Sequence, residues 1–229
     1  METMNGQPPH PLSNHLDGVY RRLLTTYGPQ GWWPGAHDPW EVIVGAILTQ
    51  NTAWVNVERA LANLKTADSL SPQRIRALPH EELGALLRPS GYFNGKTKKL
   101  KAFAGHLGER YGDDLGAFLG QDLAVLRPEL LSIYGIGEET ADDILVYAAN
   151  TPSFVIDAYT RRILERLGSG PVRTSYAGYQ ALFHDSLPAD AGLFNEYHAL
   201  LVRHAKDACR KTPVCEDCCL RDLCAYGQA

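Results

Sequence analysis

The chain has 229 residues, 45% of them hydrophobic and 21% charged, the composition of a globular protein long enough to bury a real core. A net charge of −4 excludes a globally basic nucleic-acid binder and leaves any such role to a locally basic face. The polar start METMNGQPPHPLSN lacks the pattern of a signal peptide, and the best apolar run, Val42–Leu48, is too short for a membrane span. A cytosolic protein with no membrane partner is expected.

In chain order, nearly every periodic segment reads helical. Asn14–Tyr27 sets Leu16, Val19, Tyr20, Leu23 and Leu24 at helical spacing. Asp38-Pro39-Trp40-Glu41 is a helix start, with Asp as cap, Pro in the first turn and Glu three residues on. That start outweighs the β-branched look of Val42-Ile43-Val44. Further helices are predicted over Val55–Leu64, Pro79–Leu87, Lys96–Tyr111, Asp122–Ile133, Glu138–Ala149, Asp157–Leu167, Ser175–Leu187 and Ala191–Ala208. Turn signals such as Pro89-Ser90-Gly91, Gly112-Asp113 and Gly168-Ser169-Gly170-Pro171 separate them. No alternating strand pairs occur, so the expected class is all-α.

Three places carry chemistry. The first is Leu131–Ala141, where Gly135-Ile136-Gly137 joins two helices. Glycines there allow close approach of another chain, and amides at the second helix start could bind a phosphate. By itself the turn reads as an ordinary helix–helix connection. The second is Phe154-Val155-Ile156-Asp157, an apolar extended run that delivers a carboxylate to the start of a basic helix. Asp157 reads as an N-cap whatever else it does. The third is Cys209, Cys215, Cys218 and Cys224, spaced C-x5-C-x2-C-x5-C. With no secretion signal they suggest a metal site, and spacing leaves zinc and an iron–sulfur cluster open. Two basic runs, one of Lys96, Lys98, Lys99 and Lys101 and one of Lys206, Arg210 and Lys211, read first as solvated helix faces.

Together the hairpin and the Val155-Ile156-Asp157 element resemble the endonuclease III family of helix-hairpin-helix DNA glycosylases, over about Asp38 to Cys224. The resemblance implies a two-lobed helical fold. Residues 38–150 would form one lobe. Residues 1–37 and 151–229 would form the other, ending in a [4Fe–4S] loop, with DNA across the cleft between the lobes. It makes Asp157 the catalytic carboxylate, and it makes Cys209, Cys215, Cys218 and Cys224 the ligands of a structural [4Fe–4S] cluster. The first interval of this cysteine loop is one residue shorter than the family's, and Cys219 is left as a non-ligand. Bifunctional members carry their Schiff-base lysine where Glu139 stands, so the expectation is a monofunctional glycosylase.

Trp32-Trp33, the Gln50-Asn51-Thr52 run ahead of Trp54, and Arg88-Pro89-Ser90-Gly91-Tyr92-Phe93-Asn94 are similar to the family's 3-methyladenine branch. That branch also has a Glu at the position of Glu139, although its best-known form lacks the cluster cysteines. The implied substrate is an alkylated purine in double-stranded DNA, handled by a monomer of prokaryotic type that works on the nucleoid. Trp32, Trp33 and Trp54 would line the base pocket near Asp157. Gln50 would fill the space left by the flipped base and Tyr92 would wedge the opposite strand. Gly135, Gly137, Tyr159, Arg210 and Lys211 would contact the DNA. The alternatives are a glycosylase with lyase activity on oxidised pyrimidines, and a non-catalytic protein that binds damaged DNA.

Overall fold

The computed structural model describes residues 11–33 and 38–228; the first ten residues and Pro34, which follows the Trp pair, lie outside them. Twelve α-helices form among the described residues, and no strand. The chain divides into two compact units: Trp33–Thr151, and a second made of the chain up to Trp32 together with everything from Pro152 onward. No helix among the described residues is long and apolar enough to cross a membrane.

The Trp33–Thr151 unit carries α2 (Pro39–Thr49), α3 (Trp54–Thr66), α4 (Pro72–Ala77), α5 (His80–Leu87), α6 (Phe93–Tyr111), α7 (Leu115–Leu119), α8 (Leu123–Ser132) and α9 (Glu138–Asp143). A turn of π-helix, Ile144–Ala148, extends α9. Asp38 caps α2 by accepting from the Trp40 amide at 2.9 Å, and Pro39 needs no hydrogen bond at the first turn. From Val42 to Leu48 α2 is buried on every side, which makes it the central rod of this core. Ile43 and Ile47 of α2, with Leu100, Phe103, Leu130 and Ile144, are fully buried in that core. The short helices α4 and α7 went unseen in the sequence, although Ser71 and Asp114 cap them.

The lysine run is not a solvated face. Lys96 is buried, and its amine donates to the carbonyls of Leu48 at 2.8 Å and Ser90 at 2.6 Å. Burial, and behind it the charge of Lys99, pushes that amine down to about 8. Lys101 donates to the carbonyls of Arg76 and Leu78, and Lys99 to the Gln50 side chain. Lys98 alone of this run is exposed. Carbonyls at the ends of α2 and α4 and between α5 and α6 thus accept from lysine amines.

The second unit holds α1 (Pro11–Tyr27), α10 (Ala158–Leu167), α11 (Tyr176–His184) and α12 (Ala191–Asp207). Its core is aromatic. Phe154 stacks on Phe183 with centroids 3.5 Å apart and meets Phe194 and Tyr197 edge-on. Tyr197 ties α12 to α1 by donating to the Leu16 carbonyl at 2.8 Å.

Candidate active site and cysteine loop

The extended run before α10 has no neighbouring strand to satisfy its backbone. Side chains of α11 take that place. The Phe154 amide donates to His184 Nε2 at 3.0 Å, the Phe154 carbonyl accepts from Gln180 at 2.8 Å, and the Ile156 amide donates to the Tyr176 hydroxyl at 3.2 Å. Tyr176, Gln180 and His184 are spaced four apart, so they form one row on the helix. With Phe154, Val155 and Ile156 buried, this row fixes the backbone that ends at Asp157.

Asp157 caps α10: its Oδ1 accepts from the Thr160 amide at 2.7 Å. Its Oδ2 lies 3.8 Å from Nε2 of His198 on α12. The Asp157 side chain is 15% exposed. Burial works to raise its pKa, but His198 and the Thr160 amide and hydroxyl outweigh it and hold the carboxyl below its ordinary value. An ionised, oriented and nearly buried carboxylate can stabilise a developing positive charge and accept a proton from water. Sequence reasoning missed His198, which stands on a helix far along the chain with no motif around it. Tyr159, half-buried two residues on, carries the Arg162 guanidinium over its ring at 5.2 Å.

In the Trp33–Thr151 unit the hairpin is braced from both sides. Arg127 of α8 holds the fully buried carboxylate of Asp142 through two hydrogen bonds, at 2.8 and 3.0 Å. Gly135 has φ +85°, and a Cβ there would collide with the Lys99 stem. Gly137 caps α9 and is exposed, as are Glu138 and Glu139. Gln50 is bound to this hairpin: its amide donates to the Gly135 carbonyl at 3.2 Å and to Thr140 Oγ1 at 2.8 Å, while its carbonyl accepts from Lys99. Tyr92 is 78% exposed in the left-handed region at φ +46°, a costly conformation for a non-glycine residue.

Trp33 and Trp54 do meet, edge to face at 5.0 Å, and Tyr147 joins them with its ring 5.2 Å from Trp33. All three are partly exposed. Tyr147 was missed in the sequence because it arises from the π-helical turn, an irregularity that often marks functional positions. Trp32 belongs to the other unit, where Lys206 lies over its ring at 5.8 Å.

Cys209, Cys215, Cys218 and Cys224 line one cavity together with Ile163, Leu167 and Leu220. Cys219 is absent from that lining and sits instead beside Arg21, Arg22 and Thr26 of α1. All five cysteines are free of disulfides. Two arginines of α10 hold the loop: Arg162 donates to the Cys209 carbonyl at 3.0 Å, and Arg166 to the carbonyls of Arg210 at 2.6 Å and Lys211 at 2.9 Å. Arg166 also reaches the Cys209 sulfur at 3.3 Å, and its own carbonyl accepts from the Cys224 thiol at 3.2 Å. The Arg210 and Lys211 side chains are exposed. Among the described residues no three His, Cys, Asp or Glu side chains converge as a single-ion site.

Residues 44–188 match the HhH-GPD superfamily of base excision DNA repair proteins. The chain belongs to that superfamily. A candidate DNA repair glycosylase of Methanocaldococcus jannaschii is 46% identical over 207 residues, covering 90% of this chain and 94% of the relative. Endonuclease III of Sulfolobus acidocaldarius is 30% identical over 186 residues, 80% of each chain. Among solved structures, the 3-methyladenine DNA glycosylase of Helicobacter pylori bound to 1,N6-ethenoadenine superposes with a TM-score of 0.70 at 29% identity. That match covers 85% of this chain and 97% of the other. The all-helical fold is that of an HhH-GPD enzyme, and the protein is a DNA repair glycosylase.

Proposed function

We propose that this HhH-GPD protein is a monofunctional glycosylase that releases alkylated purines, 3-methyladenine among them, from double-stranded DNA. The observation that carries the reading is Asp157, a carboxylate fixed by its cap and ionised in a nearly buried place. Its negative charge would stabilise the oxocarbenium-like sugar as the base departs, and its free lone pairs would orient and deprotonate the attacking water. Where a lyase needs an amine, the hairpin presents the exposed carboxylate of Glu139, which forms no imine.

The aromatic group of Trp33, Trp54 and Tyr147 supports an alkylated base as substrate, because stacking and cation–π attraction both favour a ring carrying positive charge. The likeness to the Helicobacter pylori enzyme points the same way. Gln50, held against the hairpin, and Tyr92, exposed and strained, suit the filling and wedging roles. Gly135, Gly137, Tyr159, Arg210 and Lys211 suit contact with the DNA. The protein acts as a monomer in this reading.

Cys209, Cys215, Cys218 and Cys224 fit a [4Fe–4S] cluster: they surround a common cavity, and Cys219 lies outside it. When bound, the cluster supplies a rigid centre for the C-terminal loop. Arg162 and Arg166 secure the same loop from α10, which leaves the Arg210 and Lys211 side chains turned outward to phosphate.

A panel of duplexes with one defined lesion each tests the reading. The wild-type protein should free the alkylated purine and leave the abasic strand intact until alkali is added. Asp157→Asn should lose base release by at least about a hundredfold while still binding DNA. A borohydride-trapped protein–DNA adduct would overturn the monofunctional assignment, and preferential release of an oxidised pyrimidine would overturn the substrate.

A further inference from the structure

His198 stands on α12, about forty residues beyond Asp157, and only 7% of its side chain is exposed. Its Nε2 is 3.8 Å from Asp157 Oδ2. That is too long for a direct hydrogen bond and well inside the range at which an imidazole steers a carboxylate. The two carboxylate oxygens are thus distinguished. Oδ1 is committed to the Thr160 amide at 2.7 Å, so Oδ2 is the oxygen left for chemistry, and His198 is the side chain set beside it. The imidazole is itself located by packing, with its ring edge-on to Phe154 at a centroid distance of 6.4 Å. Phe154 begins the run that ends at Asp157, and α11 pins its backbone on both sides. One aromatic core therefore places the carboxylate and the imidazole together.

We propose that His198 is a positioning residue for base release, holding Oδ2 of Asp157 ionised and aimed while the cap holds Oδ1. The inference rests on the assignment of Asp157 as the catalytic carboxylate. His198 touches neither the base nor the sugar in this scheme. It acts through the aspartate, and its loss should slow the chemical step without weakening DNA binding.

The test is single-turnover release of methylpurines from duplex DNA treated with a methylating agent. Wild type, Asp157→Asn, His198→Leu and His198→Gln are compared, with affinity for untreated duplex and thermal midpoint measured for each. His198→Leu should slow release by roughly ten- to a hundredfold, with duplex affinity kept within about twofold. His198→Gln, whose amide nitrogen reaches the place of Nε2, should restore most of the rate. A wild-type rate in His198→Leu, beside an inactive Asp157→Asn, overturns this inference and leaves the glycosylase reading standing. Full activity in Asp157→Asn overturns the assignment of Asp157 and the inference with it. Equal loss in the Leu and Gln variants, with matching falls in thermal midpoint, would show a packing role only and overturn the inference as well. Should His198→Leu fail to fold, His198→Asn replaces it, since its shorter amide does not reach Oδ2. Equal rates in the Asn and Gln variants would then overturn the proposal.

Discussion

At the scale of single residues, the proposed chemistry rests on how Asp157 is kept charged. Its folded pKa is depressed by His198 and by the Thr160 amide and hydroxyl, against the opposing effect of burial. A depressed carboxyl stabilises the fold above its unfolded value, and that contribution is lost as pH falls through the folded value. Asp157 therefore stays ionised to a lower pH than an ordinary aspartate. A pH–rate profile of single-turnover base release should place any acid limb from this group below the ordinary aspartate value. An acid limb near neutrality that vanished in Asp157→Asn would contradict the geometry. Asp157 was legible in the sequence because an apolar triplet led into it and a helix followed. His198 was not, because the contact that gives it meaning is made between helices distant in the chain. The lysine run was misjudged for a related reason: charge and spacing look alike whether an amine faces water or caps carbonyls inside, as Lys96 does.

At the scale of elements, the helices were legible wherever a cap and a long apolar period coincided, as at Asp38 and Asp157. The helices α4 and α7 were not, since six and five residues give too little period to read. The row of Tyr176, Gln180 and His184 along α11 was equally hidden. It replaces a strand with a helix face, and nothing local in the sequence announces that. The hairpin shows what one such tertiary contact is worth. Arg127→Met would remove the bidentate partner of Asp142, whose side chain is fully buried. Breaking a buried pair from one side costs on the order of 3–5 kcal/mol. Urea unfolding should register a loss of that size, and a change below about 1 kcal/mol would mean that the pair contributes little. At the cysteine loop, Arg166 fixes the backbone while Lys211 points outward. Lys211→Ala should weaken damaged and undamaged duplexes alike and reduce the salt slope by about one phosphate contact. Altered lesion preference with an unchanged slope would remove the phosphate role.

Across the whole molecule, the two units divide the labour: one holds the hairpin, Gln50 and the aromatic trio, the other the carboxylate and the cysteine loop. Purified protein should be brown and carry about four irons. Near-equimolar zinc without visible charge-transfer absorbance would overturn the cluster. Cys215→Ser should yield colourless or insoluble protein, and Cys219→Ser should keep its colour, because only the former lines the shared cavity.

The helix α10 begins at Asp157 and, within ten residues, reaches Arg166 against the cysteine loop. Both ends of one rigid rod are thereby accounted for, one by the carboxylate and the other by the cysteine loop. On the proposed [4Fe–4S] assignment, a chain without iron would lack the anchor at the far end of the rod that aims its carboxylate. Repair capacity in the cell would then follow the supply of iron rather than the amount of polypeptide. With alkylated purines as the proposed substrate, starvation for that metal should accumulate those lesions even where the protein is abundant.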